Sequence, residues 1–253
     1  MSMTEPPSST ASKSPSLTQL QAELTQARAT LDAYSHAVSH DLRAHLRHIT
    51  AYAGLLREEL GADLTSDATH YLDTVTQAAR LLGQQMEGLL ALSKLDRITP
   101  KKVALDQATL VAQALADLAP QTAGRKIDWQ VANDFPALQG DAAMVQQVWG
   151  HLLSNAIKFT RPRPVARIQV GWQLQSDTDR CALFVRDNGV GLRLSAGAQE
   201  QVFGVFRRSH PASEFEGLGL GLALARKLVE RHGGDIAAEG SPDAGCVVRF
   251  TLP

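Results

Sequence analysis

The sequence predicts two classes of structure in one chain: a long helical hairpin followed by an α/β domain. Three observations carry this reading. Apolar residues recur at steps of three and four from Leu17 to Leu92, the spacing of a helix face. After Pro100 short β-like runs alternate with helical stretches, the pattern of an α/β fold with a mixed sheet. Between the two lies "DRITP", which ends the helical periodicity.

Taken in order, "MSMTEPPSSTASKSPS" (1–16) is rich in Ser, Thr and Pro and reads as a disordered tail. With one lysine and no apolar core it is no signal peptide. Leu17, Leu20, Leu24, Ala27, Leu31, Tyr34 and Val38 form a heptad seam, which favours helix pairing. The pattern continues through Leu42, Leu46, Ile49, Ala53, Leu56 and Leu60 until "GADLTSD" breaks it. A second helix places Tyr71, Val75, Ala78, Leu82, Met86, Leu89 and Leu92 inward. One such hairpin has a thin core. Two hairpins from two chains make a four-helix bundle, so a homodimer is expected.

In the second half "KKVAL", "KIDWQV", "ARIQVGWQL", "CALFVRD", "GDIAAE" and "CVVRFTLP" read as strands. Helices are expected at about 107–120, 141–159 and 219–233. Asp141 is the expected N-cap of the second, and Gly233 and Gly234 terminate the third.

Composition narrows the function. A net charge of −1 lacks the basic excess of a nucleic-acid binder. No apolar run approaches the roughly 18 residues of a bilayer span, so no membrane insertion is expected. Cys181 and Cys246 have no metal spacing and read as reduced core thiols of a cytoplasmic protein.

Four histidines crowd "SHAVSHDLRAHLRHI": His36, His40, His45 and His48. His36 and His40 have the i,i+4 spacing of a metal pair, but no third ligand is evident. At about 100° per residue His40 lies roughly 200° from the seam residue Val38 and faces solvent. Farther on, "HLLSNAIKFT" sets Asn155 and Lys158 three apart on one helix face. An amide oxygen can ligate a hard cation and an ammonium can meet a phosphate. "VRDNGVGL" ends a strand in Asp187, followed by Gly189 and Gly191. A carboxylate there suits an exocyclic amine such as that of adenine, and glycines admit a ligand close to the backbone. "EGLGLGLALARKLVERHGG" leads Gly217, Gly219 and Gly221 into a helix, whose N-terminal N–H groups suit phosphate.

In this order and spacing the motifs resemble the catalytic half of a two-component sensor histidine kinase, over about residues 31–253. "HLLSNAIKFT", "VRDNGVGL" and "EGLGLG" resemble the N, G1 and G2 boxes. "FGVFRRSH" resembles the F box and "PDAGCVVRFTLP" the G3 segment. "SHAVSHDLRAHLRHI" resembles the H box in its phytochrome-like variant. The resemblance implies a coiled-coil signalling helix at 17–34, a dimerisation and histidine phosphotransfer domain at 35–98, and an ATP-binding domain at 101–253 with the α/β sandwich of gyrase and histidine kinases.

It also implies that His40 takes the γ-phosphoryl group of ATP and passes it to an aspartate on the receiver domain of a response regulator. Asp41 would orient the ring and assist proton removal. Asn155 would hold Mg²⁺ and Lys158 phosphate. Asp187 would bind the adenine amine, with Gly189, Gly191, Gly217, Gly219 and Gly221 shaping the pocket. Arg208 would contact phosphate, with Arg207 the lesser candidate, and 193–216 would be the lid. Only the tail and a short coiled coil precede the H box in this sequence, so two routes for input are expected: through that coiled coil from an upstream sensor protein, or from a part of the protein outside this sequence.

Four departures from the family pattern stand out. His45 replaces the usual proline five residues after the phosphoacceptor, so a straighter helix is expected. Ala44 replaces the Thr or Asn of dual-activity members, so weak phosphatase activity is expected. His151 opens the N box in place of Asn, and Asp243 stands where glycine is usual. The competing readings are a catalytically degenerate phosphotransfer scaffold and a gyrase-type or chaperone-type ATPase. The latter carries glutamate where this chain has His151.

Overall fold

The computed structural model describes residues 16–175, 180–192, 199–211 and 213–253. The expected tail therefore lies, Ser16 aside, outside the described residues, as do 193–198 and 212 of the expected lid. The side chain of His36 is also outside them.

Helix α1 spans Leu17–Leu60 without interruption at His45. Ser16 caps it through a capping box: its hydroxyl accepts the Gln19 N–H, and the Gln19 side chain accepts the Ser16 N–H. A 3₁₀ turn at Gly61–Asp63 reverses the chain. Helix α2 (Ser66–Leu95) then runs back along α1, its N-terminus capped by Thr65.

The hairpin corrects the sequence reading of which residues face inward. On α2 the covered stripe is Leu72, Thr76, Ala79, Gly83, Met86 and Leu90, and Leu46 of α1 packs into it beside Ala79, Gly83 and Met86. Of the residues expected inward on α2, Met86 is buried and Leu92 half-buried. Tyr71, Val75, Ala78, Leu82 and Leu89 are exposed, Tyr71 at 65% and Leu82 at 46%. The physical reason is that α2 carries two apolar stripes one residue apart, about 100° around the helix. A single antiparallel partner covers only one. The same holds on α1, where Val38, Leu42, Ile49, Leu56 and Leu60 are exposed while Leu46 and Ala53 are buried.

The α/β domain follows the expected order. Strand β1 (Val103–Leu105) precedes α3 (Gln107–Thr122), β2 (Ile127–Val131), β3 (Leu138–Gly140) and α4 (Ala142–Phe159). Then come β4 (Ala166–Leu174), β5 (Cys181–Asp187), a 3₁₀ turn at Gln199–Phe203, α5 (Gly221–His232), β6 (Ile236–Gly240) and β7 (Cys246–Thr251). The main sheet has the order β2-β4-β5-β7-β6, with β2 parallel to β4 and the other neighbours antiparallel. Strand β3 pairs with β1 in a separate two-stranded sheet. It is three residues long, too short to show an alternation in the sequence.

Helices α3, α4 and α5 cover the inward side chains of the sheet, among them Ile168, Val170, Leu183, Val185 and Phe250. Trp149 of α4 sits at the centre, edge-on to Phe250, and its Nε1–H donates to the buried Gln107 side chain at 2.9 Å. Asp141 caps α4 by accepting the Met144 N–H. His232 joins α5 to that cap, accepting the Asp141 N–H at Nε2 and donating from Nδ1 to the Leu228 carbonyl. Gly233, at φ 80, ends α5. Both cysteines are free and half-buried, with Cys246 packed against the domain core, where burial pushes its thiol up to about 12.

Candidate active site

Helix α4 presents His151, Asn155 and Lys158 on the side that meets the start of α5. The tips of His151 and Asn155 converge: each lies 3.8 Å from the point a Cβ at Gly221 would occupy. Together with Arg208, Gly217, Gly219 and Gly221 these residues line one cavity of about 370 Å³. Burial lowers the Lys158 ammonium, opposed by the charge of Glu216, and lowers His151, favouring its neutral form. Glu216 is held ionised by the hydrogen bond from Arg161.

The glycine run that enters α5 is not itself helical. The sequence placed the helix start near 219, but Gly219 has φ 70 and Gly217 φ 128, so the first helical residue is Gly221. A Cβ at Gly219 would also fall 2.6 Å from the Arg207 carbonyl oxygen. Arg208, read as a phosphate contact, here donates to the carbonyls of Gly217 (2.8 Å) and Phe215. It organises the loop while lining the cavity.

Asp187 ends β5 and is partly buried. Its carboxylate accepts the Gly189 N–H at 2.8 Å, and burial pushes its pKa up to about 6. Asp187, Gly189 and Gly191 do not line the same cavity. They border it through the end of α4: the Val190 N–H donates to the Phe159 carbonyl, and the Gly191 carbonyl lies 2.9 Å from Nε2 of the buried His210. His210 packs with Phe159 and Phe215, and all three line the cavity wall. Gly191 adopts φ 74, and a Cβ there would lie 1.9 Å from the Ser241 carbonyl oxygen, so no other residue fits.

The sequence reading did not find Arg163. Its guanidinium donates to the carbonyls of Asn188 (2.8 Å), Gly189 (2.9 Å) and Asp243 (3.0 Å), clamping two loops at once. "RPRP" carries no signal for such a long-range role. Asp243, where glycine is usual in the family, has φ 60, which explains the usual preference. Also unforeseen, α2 contributes Gln84 and Gly88 to the cavity wall.

His40 and Asp41 stand apart from the cavity, exposed on α1. The His40 side chain is 77% exposed, with Nδ1 3.2 Å from Asp41 Oδ1. His45 and His48 are exposed as well. Among the described residues no cluster of three or more potential metal ligands occurs, and no helix is long and apolar enough to cross a membrane.

Comparison with known proteins covers both halves. Residues 31–98 match the His Kinase A (phospho-acceptor) domain. Residues 140–253 match the histidine kinase-, DNA gyrase B- and HSP90-like ATPase family. The methanogenesis regulatory histidine kinase FilI of Methanothrix harundinacea is 34% identical over 91% of this chain and 25% of its own length. The phytochrome-like protein Cph1 of Synechocystis is 29% identical over 94% of this chain and 31% of its own. This chain thus spans about a quarter to a third of those relatives. Full-length ShkA, solved in complex with AMPPNP, superposes with a TM-score of 0.61 at 23% identity, covering 87% of this chain and 45% of that one; the likeness extends to the fold. With a phospho-acceptor hairpin and a kinase-type ATPase domain in that order, the chain belongs to the two-component sensor histidine kinases.

Proposed function

We propose that this chain binds ATP, phosphorylates its own His40, and passes the phosphoryl group to an aspartate on the receiver domain of a response regulator. The observation that carries the reading is the His40–Asp41 contact on an exposed helix face. With Nδ1–H donated to Asp41, the lone pair of Nε2 points free as the nucleophile. Attack forms the Nε2–phosphorus bond and breaks the bond from the γ-phosphorus to the bridging oxygen, leaving ADP. Positive charge develops on the ring, and the Asp41 carboxylate offsets it through the same hydrogen bond.

The cavity residues fit the other half of the reaction. Lys158 and the N–H groups at the start of α5 suit the triphosphate, and positioning with charge neutralisation is most of what phosphoryl transfer requires. Asp187 faces the adenine amine in this reading, and Gly189 and Gly191 let the base approach. Asn155 lines the same cavity as Lys158 and the glycines at 217, 219 and 221, where its amide oxygen would serve as the hard donor for Mg²⁺. When bound, that ion neutralises charge on the phosphate oxygens.

The exposed apolar stripes of α1 and α2 favour pairing with a second copy into a four-helix bundle. Input from an upstream partner through the coiled coil at 17–34, and action in the cytoplasm where ATP is available, complete the reading. Incubation with γ-labelled ATP and Mg²⁺ tests it. Acid-labile label that is absent from His40→Gln is the expected result. No label on the wild-type chain would overturn the kinase reading and leave the phosphotransfer scaffold or an ATPase without a histidine acceptor.

A further inference from the structure

Glycine weakens a helix interior, and α2 contains two, Gly83 and Gly88. Their surroundings differ. A Cβ at Gly83 would meet the Leu46 side chain at an ordinary 3.8 Å. A Cβ at Gly88 would fall 2.0 Å from Leu220 Cδ1 and 3.3 Å from its Cγ. Leu220 is buried and directly precedes the first residue of α5. The missing side chain at Gly88 is therefore the socket into which the residue at the end of the glycine-rich loop fits.

Four further features hold the same surfaces together. Gln84, one turn before Gly88, lines the nucleotide cavity from α2. Leu95, the last residue of α2, is buried within the core of the α/β domain. Beyond it, Asp96 pairs with Lys227, and the Arg231 guanidinium donates to the Ile98 carbonyl. The α/β domain is thus seated on one face of α2, and Leu220 in Gly88 is its contact nearest the phosphate-binding loop.

The level of that contact along the hairpin matters. Arg57 pairs with Asp73, and Leu46 lies beside Gly83. Following this antiparallel register, His40 stands level with Leu89 and Leu90, within about 3 Å of Gly88 along the axis at a rise of ~1.5 Å per residue. Seating Leu220 at Gly88 therefore holds the cavity at the height of the phosphoacceptor along the hairpin. We propose that Gly88 is a positioning residue for autophosphorylation, acting through Leu220 to place the nucleotide loop at the level of His40. This rests on the kinase reading above.

The test uses the full chain and compares wild type with Gly88→Ala, Gly83→Ala and the double variant Gly88→Ala/Leu220→Ala. Autophosphorylation at saturating ATP, nucleotide Kd and thermal unfolding of the helices are measured for each. Gly88→Ala is expected to slow labelling of His40 about tenfold or more, with Kd within about twofold of wild type and helix stability unchanged or higher. Gly83→Ala keeps the wild-type rate, and the double variant is faster than Gly88→Ala. The inference is overturned if Gly88→Ala labels at the wild-type rate or faster, if its loss is matched by lost nucleotide affinity, or if the double variant is no faster. A wild-type chain that never labels overturns the kinase reading and this inference with it. A labelled wild type with an equally labelled Gly88→Ala overturns this inference alone.

Discussion

At the scale of a residue, Asp187 is a carboxylate that the fold holds at a cost. Burial raises it from 3.8 to about 6, so between those values the folded chain binds a proton that the unfolded chain has released. The group's contribution to stability is therefore greatest at low pH and falls as pH rises to about 6. Above that, the buried charge costs at most about 3 kcal/mol. Asp187→Asn should raise the unfolding free energy at pH 7 by about 1–3 kcal/mol, measured by denaturant titration, while nucleotide binding is lost. In the wild type, ATP affinity should weaken as pH drops through about 6, because the protonated carboxyl no longer offers the adenine amine two acceptor oxygens. A binding isotherm flat from pH 7.5 to 5 would contradict this role.

That Asn155, Lys158, Gly217, Gly219 and Gly221 come together at one cavity was legible in the sequence because their placement is local; Asp187, Gly189 and Gly191 were placed at a strand end but lie outside that lining. Each lies on or beside an element that the periodicity locates, and the resemblance supplies roles by position. Arg163 and His210 were not legible, since each acts on carbonyls that are close only after the chain has folded. Arg208 shows the limit from the other side. Its position was legible, but its hydrogen bonds to Phe215 and Gly217 depend on the path of the loop.

At the scale of an element, two loops depend on a single clamp. Arg163 ties the Asp187–Gly191 loop to the turn at Asp243. Arg163→Ala leaves three carbonyls without their charged donor and should cost about 1–3 kcal/mol. It should raise the KM for ATP more than it lowers kcat, because the loops, and not His40, lose their shape. Gly191→Ala should be more severe, since its φ 74 and the 1.9 Å clash leave no room for a methyl group. Failure to bind nucleotide or to fold is expected, and circular dichroism with a nucleotide titration separates the two. The helices and most strands of this domain were readable from periodicity and caps. Strand β3, with three residues, was not, and α5 starts two residues later than expected because left-handed glycines cannot join a helix.

At the scale of the whole molecule, the hairpin has more apolar surface than one chain can use. The heptad steps were visible in the sequence, yet they merged two stripes into one. Only packing shows that Leu46 and Ala53 face α2 while Val38, Leu42 and Ile49 face away. In the dimer reading, Ile49→Glu or Leu82→Glu places a charge in the interface between copies. Sedimentation should then show a monomer where the wild type sediments as a dimer. If both variants sediment as the wild type does, the outer stripes serve another purpose. How the two domains sit together was also beyond sequence reading, because α2 meets α5 through residues more than a hundred positions apart.

The account rests most heavily on the delivery of a phosphoryl group from the cavity at Asn155 to the imidazole of His40. Mapping the phosphate by peptide mass spectrometry at neutral pH, after incubation with ATP and Mg²⁺, tests that delivery directly. The expected result is phosphate on His40 in the wild-type chain and none in Asn155→Ala. Phosphate on another residue, or undiminished phosphate at His40 in Asn155→Ala, would contradict it.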